Sequence, residues 1–193
     1  FMVLSMVVIG GITRLTDSGL SMTNWHLIKG IVPPLSENDW IKLFEIYKEY
    51  PEYQLKNITM TVNEFKKIFF WEYLHRVWGR LIGLTFFLPL LYFWIKGWFS
   101  KSEKKLLLIL TLLGLFQAFM GWYMVKSGLI DKPDVSHFRL SAHLLTAFLI
   151  YSFLLYFFWD IYSKEKSTNH STKVLKLKWH KNNFVISLFL LLL

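Results

Sequence analysis

The sequence predicts an all-α fold, a polytopic membrane helix bundle, and three observations carry that prediction. Hydrophobic residues make up 54% of the chain, aromatic residues 19%, and the mean hydropathy is +0.37. Residues 106–125 and 140–159 contain no Asp, Glu, Lys or Arg. About 20 apolar helical residues cross a hydrocarbon core of roughly 30 Å, so each block spans it. The basic residues, finally, are concentrated in two loops. A disordered chain, a secreted disulfide scaffold and a nucleic-acid-binding domain are excluded by this composition.

Five apolar segments follow in order. The first ends near Ile12, and the second runs from about residue 71 to 95. The two uninterrupted blocks come next, and the fifth is 184–193. The first and last are too short to span and read as membrane helices cut by the ends of the sequence, so a larger protein is expected. The chain has no Cys, which removes zinc-thiolate sites, iron–sulfur clusters and thiol catalysis.

The loops set the orientation. Segments 96–105 and 160–181 together hold ten of the 22 basic residues and three of the 13 acids. Segment 14–70 holds seven of each. The positive-inside rule puts the two lysine loops on the cytoplasmic or matrix side. Segment 14–70 and the short loop 127–138 then face outward. The net charge of +9 is therefore a topology signal, and no nucleic acid is implied.

The outer segment has structure of its own. Ser36, Glu37, Asn38 and Asp39 resemble a capping box, and Trp40, Leu43, Phe44 and Tyr47 follow at helical spacing. This predicts an amphipathic helix, ended by Pro51, whose aromatic face rests on the membrane or over the bundle. Thr61 and Glu64 form a second cap, opening a helix through Phe65, Ile68 and Phe69 into the second span. Pro89 is expected to kink that span. Residues 163–172 read as a polar loop.

Ionisable residues gather where the second and fourth spans meet the outer face. Glu72, His75, Arg76 and Arg80 open the second span, and His137, Arg139 and His143 open the fourth. Such residues are costly in a membrane and usually face the bundle interior. Glu72 and His75 lie about 60° apart on a helical wheel, one turn from each other, with Gly79 and Gly83 continuing that side. His143 is followed on its face by Thr146 and Ala147. A lone interfacial His is more often a packing residue than a ligand, but two at matched depth beside small residues suit a haem between helices. Arg76, Arg80 and Arg139 could pair with propionates or snorkel to headgroups. Arg139, four residues before His143, is the strongest of the three. His26 and His137 read as solvated, while His170 and His180 lie on the inner side. A transport cavity remains open as an alternative, although the inner halves of the spans show no polar path.

The motifs go further. Gly10-Gly11-Ile12-Thr13-Arg14-Leu15-Thr16-Asp17-Ser18-Gly19-Leu20-Ser21-Met22, with Trp25, resembles the opening of the haem A synthase family. So does Phe69-Phe70-Trp71-Glu72-Tyr73-Leu74-His75-Arg76-Val77-Trp78-Gly79-Arg80. Further matches are Gly114 to Gln117, Gly121 to Leu129, and Val135 to Leu144. The resemblance implies a four-helix half of a duplicated eight-helix protein. On it, residues 1–160 are that amino-terminal half, 161–182 a basic linker, and 183–193 the start of the fifth helix.

The resemblance also implies a reaction. The C8 methyl of haem O is oxidised by successive hydroxylations to a formyl group, giving haem A for cytochrome oxidase. It carries a catalytic role onto Glu72 and axial iron ligation onto His75 and His143. Arg14, Arg76, Arg80 and Arg139 are the further haem-binding candidates. Haem O is then the substrate in this half, supplied by haem O synthase, and haem B the cofactor expected in the other half. An electron acceptor and membrane lipid are the remaining partners, with homo-oligomer formation left open. The membrane would be the bacterial inner membrane, or the mitochondrial inner membrane in a eukaryote. Some members carry a Cys pair in the first outer loop; this chain has none, as in the alphaproteobacterial and mitochondrial type.

The alternative is a membrane b-type cytochrome that only transfers electrons. Glu72 separates the two, because electron transfer needs no carboxylate and methyl oxidation benefits from a base. A purely structural Glu72 would pair with Arg76 at i+4.

Overall fold

A computed structural model of the chain describes residues 1–24, 30–130 and 133–167. Trp25, His26, His170, His180 and the expected fifth helix lie outside the described residues. Among the described residues there are six helices: α1 (Met2–Leu15), α2 (Glu37–Lys48), α3 (Pro51–Leu55), α4 (Val62–Ile95), α5 (Lys101–Gly128) and α6 (His137–Ser167). No strand occurs among the described residues. α4, α5 and α6 are each long and apolar enough to cross a membrane, and α1 is a shorter apolar helix.

Local chemistry sets the boundaries. α1 runs one turn past the expected end at Ile12. It closes where Ser18 N–H donates to the Thr13 carbonyl at 3.0 Å and Asp17 takes a left-handed φ of 47°. Asp tolerates that conformation because its short polar side chain satisfies local backbone groups. Ser36 caps α2 by accepting from Asp39 N–H, as its motif predicts. Pro51 does more than end α2. It occupies the first position of α3, where its missing N–H costs nothing.

A full capping box between Thr61 and Glu64 starts α4, which continues through Pro89 to Ile95. A helix of that length extends about 51 Å, well beyond a bilayer core. Its first turns therefore stand outside the membrane as a platform. On the inner side Ser100 and Glu103 form another capping box, so α5 begins at Lys101 and absorbs half of the expected loop 96–105. α6 likewise runs past residue 160 to Ser167, correcting the expected polar loop 163–172 over its first part.

α5 packs along α6, α1 along α4, and α1 also reaches α6. The α1–α4 pair is antiparallel, as three contacts show. Gly79 faces Met6, Gly10 faces His75, and Thr13 Oγ1 donates to the Trp71 carbonyl at 3.4 Å. Apolar burial forms two separate clusters. The inner one gathers Met2, Val3, Phe93, Phe99, Leu107, Leu110, Leu154 and Phe157. The outer one joins Phe44 and Tyr47 of α2 to Phe65 and Phe69 of α4. The aromatic face of α2 thus rests on the α4 platform. The Glu72–Arg80 stretch of α4 lies between the two clusters.

Candidate functional site

Glu72 is almost fully sequestered, at 2% exposure. Its Oε2 accepts from Ser21 Oγ and from Met22 N–H, each at 2.7 Å. Its Oε1 accepts from Arg76 Nε at 3.1 Å and from Arg76 Nη2 at 2.5 Å. Four donors meet a group with about four acceptor positions, so the carboxylate is saturated. The loop after α1 supplies two of them. Its turn at Asp17 and Ser18 brings Ser21 over the start of the second span, which gives the Gly10–Met22 motif a structural task. Ser21 and Met22 were not singled out as partners of Glu72 by sequence, because contacts across some 50 residues leave no local pattern.

Arg76 is equally committed. Besides Glu72 it donates to the Met22 carbonyl at 2.8 Å and the Asn24 carbonyl at 2.9 Å. Its guanidinium locks the loop onto α4. Arg139 starts the other side of the site: it donates to Ser127 Oγ and lies over the Tyr123 ring, 4.5 Å from its centroid. Arg139 thereby ties the beginning of α6 to the end of α5. Arg80 is half-buried one turn inward from Arg76. Arg14 pairs with Asp17 at 3.2 Å at the end of α1, on a partly exposed surface.

His75 on α4 and His143 on α6 come within electrostatic reach of each other. α4 and α6 do not pack closely along one another; α1 packs against both. Each ring is backed by a glycine. A Cβ on Gly10 would come 3.3 Å from His75 Nε2, and one on Gly121 would come 3.9 Å from His143 Cε1. Gln117 Nε2 donates to the His143 carbonyl at 2.8 Å. His143 Nδ1 and Gln117 Oε1 are buried with no hydrogen-bond partner among the described residues. Buried polar atoms are rarely left so, and a nitrogen of this kind fits a site built for a ligand. Thr146, one turn inward, turns its hydroxyl back to the Ala142 carbonyl at 2.8 Å.

The long outer segment is held at two further points. Tyr73 Oη donates to the Ile31 carbonyl at 2.6 Å, and Lys56 pairs with Asp134 at 3.0 Å. The second contact joins the long outer segment to the α5–α6 loop, so both lie at the same end, as the charge asymmetry predicts. Leu20 is 3% exposed and sits against Gly128, where a Cβ would come 2.8 Å from its Cδ2.

One buried residue was missed by sequence reasoning. Glu52 is 4% exposed, and its Oε2 accepts from Tyr47 Oη at 2.9 Å. In sequence it is one of seven acids in a segment with seven bases, indistinguishable from a solvated charge. Its position just after Pro51 and between Tyr47 and Tyr53 was the available signal.

Comparison with known proteins adds the following. The family model described as "Cytochrome oxidase assembly protein", COX15-CtaA, matches residues 1–193. A Flavobacterium psychrophilum protein named "Heme A synthase" is 56% identical over 149 residues, covering 76% of this chain and 44% of its own length. One of the same name from Rhodospirillum centenum is 54% identical over 143 residues, covering 74% of this chain and 38% of its own. The Bos taurus protein named "Heme A synthase COX15" is 52% identical over 147 residues, covering 73% and 36%. The chain thus spans less than half the length of these relatives. No solved structure matches it.

Proposed function

Because the chain belongs to the COX15-CtaA family of cytochrome oxidase assembly proteins, we propose that it is the amino-terminal four-helix half of a haem A synthase. In this reading haem O lies between α4 and α6 as the substrate. His75 and His143 would hold its iron, and the methyl group at C8 is oxidised to a formyl group by two hydroxylations and loss of water, an external electron acceptor taking up the electrons. Haem B belongs to the other half, and the enclosing membrane is the bacterial inner membrane or its mitochondrial counterpart.

One observation carries the proposal. Two imidazoles from separate spanning helices come within electrostatic reach of each other, each backed by a glycine. An axial pair on facing helices is how bundles hold haem. Arg139, which ties the start of α6 to the end of α5, and Arg80, one turn inward from Arg76, are the propionate candidates. Arg76 orders the loop after α1 through Met22 and Asn24 and reaches a propionate only by giving up one of these contacts. Glu72 accepts a proton from the reacting methyl or from an attacking water by exchanging the Ser21 hydroxyl for substrate.

The saturation of Glu72 by Arg76, Ser21 and Met22 favours a second reading, in which the same histidines ligate a haem that only passes electrons. The product decides between them. Full-length protein should bind haem O and form haem A, while His75→Ala and His143→Ala should lose the haem spectrum yet insert normally. Glu72→Gln should bind haem O without forming haem A. Haem A formation by Glu72→Gln at the wild-type rate defeats its catalytic role. Haem binding without any haem A from the wild type supports the electron-transfer reading.

A further inference from the structure

Gln117 places an amide in the charge-free block 106–125 of α5. Its Nε2 donates to the His143 carbonyl of α6 at 2.8 Å. That contact settles which way the amide points. Turned over, its oxygen would face the His143 carbonyl oxygen, acceptor against acceptor. Nε2 is therefore committed to α6, and Oε1 is displayed as an acceptor. Oε1 is buried, and no donor reaches it among the described residues.

His143 presents a complementary atom. Its Nδ1 is likewise buried and without a hydrogen-bond partner among the described residues. Both atoms belong to the contact between α5 and α6. Gly121 lies one turn from Gln117 on the same face of α5. A Cβ on Gly121 would come 3.9 Å from His143 Cε1, the ring carbon bonded to Nδ1. The ring edge and the backbone carbonyl of His143 are thus both turned to the strip of α5 that Gln117 and Gly121 form.

A neutral imidazole has one N–H and one lone pair. When Nε2 gives its lone pair to a metal, the proton sits on Nδ1 and that N–H needs an acceptor. Histidine ligands almost always give it to a carboxylate, a carbonyl or water, a bond that fixes the ring plane and raises the basicity of the ligating nitrogen. Gln117 Oε1 is an acceptor of this kind, on a residue already bonded to His143.

We propose that Gln117 is the positioning residue of His143, its Oε1 accepting from Nδ1–H and so fixing Nε2 as the ligating nitrogen. The proposal deepens the haem A synthase reading and rests on it for the iron. The two atoms are not bonded to each other in this structure, and hydrogen bonds at such sites commonly close only in the loaded state. One amide then holds His143 twice, at its backbone through Nε2 and at its ring through Oε1. Gln117 acts through His143 and takes no part in the oxidation itself.

The test uses full-length protein in lipid nanodiscs, loaded with haem O and kept ferrous and free of oxygen, so that nothing depends on haem A being formed. Solid-state NMR with 15N-labelled His and 13C-labelled Gln reads the His143 ring. The wild type should show an iron-bound Nε2, a protonated Nδ1, and magnetisation transfer from Nδ1 to Gln117 Cδ, atoms roughly 4 Å apart across such a bond. Gln117→Leu removes the acceptor. It should move the Nδ1–H proton upfield, raise the haem reduction potential and weaken haem O binding by roughly 10–100-fold. Gln117→Glu keeps an acceptor at that place and should restore the proton shift, with a potential at or below the wild-type value. The wild-type contact is read without any substitution, so a variant that fails to fold leaves the test intact. Transfer from Nδ1 to water or to a backbone carbonyl instead of Gln117, or a proton unmoved in Gln117→Leu, overturns the proposal while His143 remains a ligand. A His143 ring with neither nitrogen bound to iron overturns the ligation reading and the proposal with it.

Discussion

Glu72 and Arg76, one turn apart on α4, form an ion pair closed off from solvent, with side chains 3% and 8% exposed. The pair is also a clamp, because the same guanidinium holds the Met22 and Asn24 carbonyls. An exposed i,i+4 pair contributes about 0.3–0.5 kcal/mol. This one differs because removing one partner strands a buried charge, which costs about 3–5 kcal/mol.

Arg76→Gln should therefore destabilise the protein by an amount in that upper range and free the loop after α1. Thermal unfolding in detergent measures the first effect, and faster proteolysis within residues 17–24 measures the second. If Arg76 acted only on a propionate, haem affinity would fall while the apo-protein kept its stability and its protease resistance.

Leu20 and Gly128 make a second link between that loop and the bundle, this time by shape. Gly128→Ala places a methyl group 2.8 Å from Leu20 Cδ2, so the buried leucine must move. Overpacking of this kind costs about 1–3 kcal/mol. Leu20→Val in the same chain removes a methylene from the contact and should recover part of the loss. A double-mutant cycle on unfolding free energy checks this, and additive effects would mean that the two residues do not meet.

Gly10 backs the His75 ring at a distance that admits no side chain without displacement. Gly10→Ala should press the ring by a few tenths of an ångström, and Gly10→Val should press it further. If His75 is an axial ligand, haem O affinity and the ligand-field spectrum should change in that order, with insertion unaffected. Identical spectra across the series would place the iron elsewhere.

Much of the architecture is legible in sequence because membrane helices and caps are local signals. The charge-free blocks locate α5 and α6, Thr61 and Glu64 fix the start of α4, and Ser36 with Asp39 fixes α2. Helix ends are less legible. Lys101, Lys104 and Lys105 look like loop residues but are carried on the first turns of α5 by the Ser100 cap. Glu72, His75 and His143 stand out because charge and imidazole are rare within a span. Their partners do not. Ser21 reaches Glu72 across 51 positions, and no periodicity encodes such a contact. Glu52 was hidden for the opposite reason: in a segment rich in balanced charge, one buried carboxyl looks like all the others.

Glu52 also makes stability depend on pH, with a sign that can be worked out. Its carboxyl titrates near 4.5 when the chain is unfolded and near 7 when folded, chiefly because it is buried, and secondarily because Glu72 repels the anion. Between those values the folded state holds a proton that the unfolded state has released. The group's contribution is therefore fully present below about pH 4.5 and is lost as pH rises through 7. At about 1.4 kcal/mol per unit the loss amounts to about 3 kcal/mol. Lys56 and the Tyr47 hydroxyl act against the shift, and Asp17 acts with it. Glu52→Gln stays neutral in both states and keeps an acceptor for Tyr47, so it should remove this slope. Unfolding free energies of the wild type and Glu52→Gln, compared at pH 5 and pH 8, should show the variant gaining relative stability at the higher pH. A difference between the two proteins that is the same at both pH values would mean that Glu52 is ionised in the folded protein and already compensated.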